Sequence, residues 1–161
     1  MSIRLVESRL EDAAISVFSN CASEPLLSVP THRGMGTDDM TTPYVTFEAT
    51  ESDPIIIGGI AIGNTDTVLR ITLKTHCEDY TRAEHDALDT ELQGVFWNPD
   101  IATELNDART DLSCIHAIHG SLSRGREEMH NITQFEMECH VLPNDGGFTI
   151  TPARVGKAII G

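Results

Sequence analysis

The stretch from Val68 to Asn106 constrains the fold most, because it reads without a break as a strand followed by two helices. Val68 to Cys77 alternates, with Leu69, Ile71 and Leu73 on one face and Arg70, Thr72 and Lys74 on the other, which is the pattern of a strand buried on one side. Thr81 with Glu84 three residues on fits a capping box, in which each side chain satisfies a backbone donor at the other end of the first turn. His85, Leu88, Leu92 and Val95 then share a helical face. Asn98 followed by Pro99 predicts an N-cap and first helical position, and a short helix from Pro99 to about Asn106 that buries Ile101 and Leu105, with Trp97 packed at the joint.

A helix precedes this segment. Ile3, Val6, Leu10, Ala13, Ala14 and Val17 recur at three- and four-residue intervals, ending near Asn20. Pro25 and Pro30 stop continuation, and Thr31 to Thr42, with Gly34, Gly36, Asp38 and Asp39, reads as a long exposed loop. Tyr44 to Ala49 and Ile55 to Ile60 read as two strands of a hairpin turning at Glu51 to Pro54, with a second turn at Asn64 to Asp66. Glycines at 58, 59 and 63 suggest a bulge or an early end.

The last third returns to strands. Cys114 to Ile118 is one, Ser123 to Met129 an arm or irregular hairpin, and Ile132 to Leu142 a long strand with Thr133, Phe135, Met137, Cys139 and Val141 on one face. Pro143 to Gly147 stops it, and Phe148 to Gly161 reads as an arm carrying Arg154 and Lys157. The element order predicts an α+β fold, a mostly antiparallel sheet with helices packed on one face, in a single domain over residues 1–142 with a C-terminal arm over 143–161.

Charge limits the partners. The chain of 161 residues has a formal charge of −14, from 25 Asp and Glu against 11 Lys and Arg. Between Glu78 and Asp111 ten acids face only Arg82 and Arg109, a net −8, which predicts one negative face. Such a surface repels the nucleic-acid backbone and anionic membranes. The longest apolar run, Ile55 to Ile62, holds two glycines and is too short to span a bilayer. Cys21, Cys77, Cys114 and Cys139 are widely spaced, and Met1 to Phe18 has no apolar core run, so free thiols in a reducing cytosol are expected.

Chemistry has few carriers. Cys114, His116 and His119 form C-x-H-x-x-H, with His76 and Cys77 as possible additions from another strand. Zinc needs four ligands converging at about 2.0 to 2.3 Å, and on a regular strand His119 would point away from Cys114 and His116. Ser121 and Ser123 lack a nucleophile elbow, Gly34-Met35-Gly36 lacks the flanking strand and helix of a phosphate loop, and Gly58-Gly59 is not followed by the phosphate-loop lysine. No residue is assigned a catalytic, cofactor-binding or metal-binding role, and no cofactor is expected.

The helix Ile3 to Asn20, the strand opening Thr42-Pro43-Tyr44-Val45, the strand VLRITLKTHCED running into RAEHDALDTELQGVF, the helix DIATELN and the strands CIHAIHG and ITQFEMECHVL follow one another in an order that resembles the tail-terminator (tail-completion) proteins of long-tailed bacteriophages. The resemblance spans about residues 3–142 and lies in the order of elements. It implies an α/β fold and a hexameric ring that caps the tail tube, stops its polymerisation and provides the head-joining surface, without enzymatic activity. It further implies copies of the chain, the tail-tube protein and a head-side connector protein as partners, DNA passing through an acidic lumen without specific binding, and a place in the virion after assembly in the host cytoplasm. Contacts are expected in Thr31 to Thr42, Ser121 to His130 and the C-terminal segment. Two other readings remain: another neck component such as a head-completion protein, and a small metal-dependent or thiol enzyme using Cys114, His116 and His119.

Overall fold

The computed structural model describes residues 3–143 apart from 35, 38, 39, 58 and 59, and describes side chains outside 3–5, 51–65, 115 and 142–143. The expected C-terminal arm lies outside the described residues. Within them the chain runs α1 (Ile3–Cys21), a turn of 3-10 helix (Leu26–Ser28), β1 (Thr31–Arg33), β2 (Tyr44–Ile57), β3 (Ile60–His76), α2 (Arg82–Phe96), α3 (Ile101–Ala108), β4 (Leu112–Glu127) and β5 (His130–Pro143). The strands form one five-stranded sheet in the order β1-β2-β3-β5-β4. Only the β1–β2 pair is parallel. This is the expected α+β domain, an antiparallel sheet with its helices on one face.

The alternation in the sequence sets which face is covered. Leu69, Ile71 and Leu73 of β3 and Phe135, Met137, Cys139 and Val141 of β5 are wholly buried, together with Val45 and Phe47 of β2. Against them α1 lays Val6, Leu10, Ala13, Ala14 and Val17, α2 lays Leu88, Leu92 and Phe96, and α3 lays Ile101 and Leu105. The opposite face is polar and half exposed, with Arg70 holding Glu136 across β3 and β5 at 2.8 Å.

Four details depart from the sequence reading. Residues Thr31–Arg33 are not loop: they add a short parallel strand beside Val45–Phe47. The runs at Tyr44 and Ile55 are one strand, not two, because the chain passes Pro54 with register shifts on either side of it, and β2 reverses into β3 only where Ile57 pairs Ile60. Proline is tolerated there because an edge position requires no ladder donor. Asn64 to Asp66, read as a turn, lies inside β3. Cys114 to Ile118 and Ser123 to Met129 are likewise one strand, β4, interrupted by irregularities between Cys114 and His116 and between His119 and Leu122. The expected arm at Ser121 to His130 is therefore the end of the β4–β5 hairpin, whose turn residue Glu128 has φ 52°.

Helix starts divide between agreement and correction. Thr81 accepts from Glu84 N at 3.2 Å and Glu84 accepts from Thr81 N at 3.2 Å, completing the capping box. The second helix begins at Ile101 rather than Pro99, since Asn98 Oδ1 accepts from Asp100 N at 2.9 Å and holds a turn ahead of it.

Two stability outcomes follow from these contacts. Leu92→Ala, at a side chain with no exposed surface, is expected to cost about 2 to 5 kcal/mol in urea denaturation. Thr81→Ala is expected to cost about 1 kcal/mol in the same measurement, through loss of the cap alone.

Candidate functional site

The Cys and His cluster does not converge. The irregularity after Cys114 takes up one residue of β4, so Cys114 stands opposite Val141 on the covered face while His116 stands opposite His140 on the open face. His119, paired with Met137, is back on the covered face, where its ring stacks on Trp97 at 5.0 Å between centroids. The expectation that Cys114 and His116 share a face is thus reversed by a single extra residue. His76 and Cys77 are no nearer, because His76 pairs His130 at the far end of β3 and β5 separates β3 from β4. Among the described residues no group of three or more His, Cys, Asp or Glu is arranged to hold a metal ion.

Each of these side chains has a structural setting. The Cys114 thiol donates to His116 O at 3.4 Å, and Asn106 binds both backbone groups of Cys114, donating to its O at 2.7 Å and accepting from its N at 2.8 Å. Cys139 lies fully buried beside Cys114, and contact with that thiol, together with burial, pushes its own thiol well above the usual range. A thiol so held is the reverse of an activated nucleophile. His116 stacks on His140 at 5.3 Å, and His140 Nδ1 lies 3.1 Å from Asp66 Oδ1. His116 Nδ1, His119 Nε2 and Trp97 Nε1 are buried without a hydrogen-bond partner among the described residues.

The sequence reading placed His85 on a buried helical face but missed the polar cluster around it. Its ring is wholly buried, with Nδ1 2.8 Å from Thr75 Oγ1 on β3 and Nε2 2.9 Å from Thr133 Oγ1 on β5. One turn further along α2, Asp89 is 1% exposed and accepts from Arg124 Nε of β4 at 2.7 Å and from Gln93 Nε2 at 2.5 Å. The signal was present as polar residues at i and i+4 in the apolar stripe of α2, but their partners lie 48 and 35 residues away and no local pattern names them.

This cluster also changes the account of charge. The acidic helices were expected to have no cation on their polar face beyond Arg82, which pairs with Asp86 at 3.2 Å, yet Asp89 also pairs with Arg124 and Glu91 accepts from Ser23. The outward acids that remain include Glu78, Asp79, Glu84 and Asp107. These acids are exposed, but they sit at both ends of the helical segment, Glu78, Asp79 and Glu84 before or at the start of α2 and Asp107 at the end of α3.

One hollow, of about 320 Å³, lies among the helices and is lined by Cys21, Ser23, Glu91, Val95, Asn98 and Glu104, and two lie on the open face. A cleft of about 290 Å³ runs over Thr46, Glu48, Arg70, Thr72 and Gln134, and a second of about 360 Å³ continues it past Lys74 to Thr37, Met40 and Glu128. Their walls mix both charge signs. No described helix is long and apolar enough to cross a membrane. Comparison with models of protein families and with curated protein sequences returns no match.

Burial lowers the His85 pKa below its ordinary value, with Asp89 acting against that shift. The neutral ring is therefore the folded form. Stability from this site is full above about pH 6.5, the unfolded value, and falls as pH drops through the lowered folded value. His119 and His130 are shifted in the same direction, chiefly by burial, and add to the slope. Urea midpoints measured from pH 8 to 5 should decline for the native chain and decline less steeply for His85→Gln.

Proposed function

We propose that the chain is a structural protein of a long-tailed phage virion, one subunit of a hexameric ring at the head-tail joint that caps the tail tube, stops its polymerisation and offers the surface to which the head joins. The observation that carries this reading is the state of the sheet's margins. Among the described residues β4, a 16-residue strand, lies at the edge of the sheet, and every residue from Gly120 to Met129 is exposed. Open strand edges are a liability in a lone monomer and a ready interface in an assembly.

Other features support it. The histidines and cysteines are dispersed or held in structural contacts, which leaves the enzyme alternative without a convergent site among the described residues. The partners are copies of the chain, the tail-tube protein and a head-side connector protein. A ring of subunits requires two different complementary surfaces on each copy, and an edge strand supplies one of them. The outward acids of the helices suit a lumen through which DNA slides without adhering, since like charge opposes backbone contact.

Electron microscopy of particles carrying a tagged copy tests the assignment, with label expected at the neck between head and tail. Particles made without the protein should have tails of uncontrolled length, because nothing would stop the tube from growing. Tails of normal length on particles that fail to hold heads would identify a head-completion protein instead. Label away from the neck would sink both readings.

A further inference from the structure

Three strands of the open face carry their side chains in rows. Tyr44 of β2 stands beside Lys74 of β3 and Ile132 of β5, and Thr46 stands beside Thr72 and Gln134. The next row sets Arg70 between Glu48 and Glu136. These rows floor the cleft of about 290 Å³, a size at the lower end of small-ligand sites.

Two hydroxyls in the cleft are set apart by their burial. Tyr44 is 4% exposed and Thr46 3% exposed, although both lie on the side of the sheet away from the helices. His32 packs edge-on against the Tyr44 ring, at 6.0 Å between centroids. Gly36 lies over the phenol so closely that a Cβ there would stand 2.7 Å from Tyr44 Oη. Neither hydroxyl has a hydrogen-bond partner among the described residues, and both side chains line the cleft. Polar groups buried to this degree cost stability until something completes their bonding. Lys74, in the same row as Tyr44, is half-buried and makes no ion pair with a described residue. Arg70, by contrast, is held by Glu136 at 2.8 Å.

We infer that this cleft binds a small hydroxycarboxylate, its carboxylate on the Lys74 ammonium and the Tyr44 and Thr46 hydroxyls, its own hydroxyl on Thr72 and Gln134. The charges of the walls select the anion. One cation outside an ion pair balances one carboxylate, whereas Glu48 and Glu127 on the same walls oppose a dianion such as phosphate. Thr72 and Gln134 have no side-chain hydrogen bond to a described residue either, so a donor and an acceptor stand ready beside the charged end. Ile132 closes the Tyr44 row with an apolar surface for the carbon skeleton. Occupancy of this cleft does not depend on whether copies of the chain form a ring.

Titration of the full chain with sodium lactate, followed through backbone amide signals in nuclear magnetic resonance, tests the site. Saturable shifts are expected at Thr46, Thr72 and Gln134, with a Kd of about 1 to 10 mM. Lactamide, of the same shape without the charge, should bind at least about tenfold more weakly. Lys74→Gln should raise the Kd for lactate about tenfold and Tyr44→Phe about threefold, each with an unchanged circular dichroism spectrum. If the buried Tyr44 does not tolerate replacement, Lys74→Gln at its half-exposed position decides. Equal shifts with lactate and lactamide overturn the inference, as do a Kd unchanged in Lys74→Gln and tighter binding of inorganic phosphate. Absence of saturation by about 50 mM overturns it as well.

Discussion

Pairing of β3 with β5 is the constraint on which the rest of the structure depends. Twelve consecutive residue pairs, from Thr65 with Val141 to His76 with His130, join segments that lie more than fifty positions apart in the chain. Everything between them, α2, α3 and β4, is a connection whose ends this ladder brings together. β5 enters the sheet between β3 and β4, so the last strand described is interior and the strand before it is the edge. Such non-local pairing carries its loop-closure entropy before packing rewards it. α2 is tied to both strands of the ladder through His85, which reaches Thr75 on one and Thr133 on the other.

The apolar layer and the polar cluster set different properties of the fold. Burial of Phe47, Leu69, Ile71, Phe135 and their helix partners drives collapse without choosing among nearby packings. His85, Asp89 and Arg124 choose, because each has an acceptor or donor at one place only, and a shift of α2 by a turn would strand a buried imidazole and a buried carboxylate. The ion pairs that link α1 to the end of α3 are more exposed and weaker. Arg109 contacts Asp12 and Asp111, all about one third exposed, where such pairs contribute little each, and the largely buried Arg9 contacts Asp111.

Much of this was legible in the sequence where the signal is periodic. The stripe of α1, the capping box at Thr81 and the alternation of β3 and β5 each predicted the element found, because burial on one side writes a repeat into the chain. Legibility failed where a strand carries an irregularity. Glu51 to Pro54 imitates a turn although β2 runs through that region, and the extra residue after Cys114 inverts the faces of His116 and its neighbours without altering composition. The order of strands could not be read at all, since nothing local in β5 says that it pairs with β3 on one side and β4 on the other. The same holds for the setting of Cys139, whose neighbour Cys114 comes from another strand.

Asn106 sits at the end of α3 and occupies the backbone N–H and C=O of Cys114 as a neighbouring strand would. The amide is thus a counterfeit rung, and it turns an edge that would otherwise run the full length of β4 into one with a closed end. A strand laid against this margin from outside meets an end-stop at that rung and can slip in one direction only.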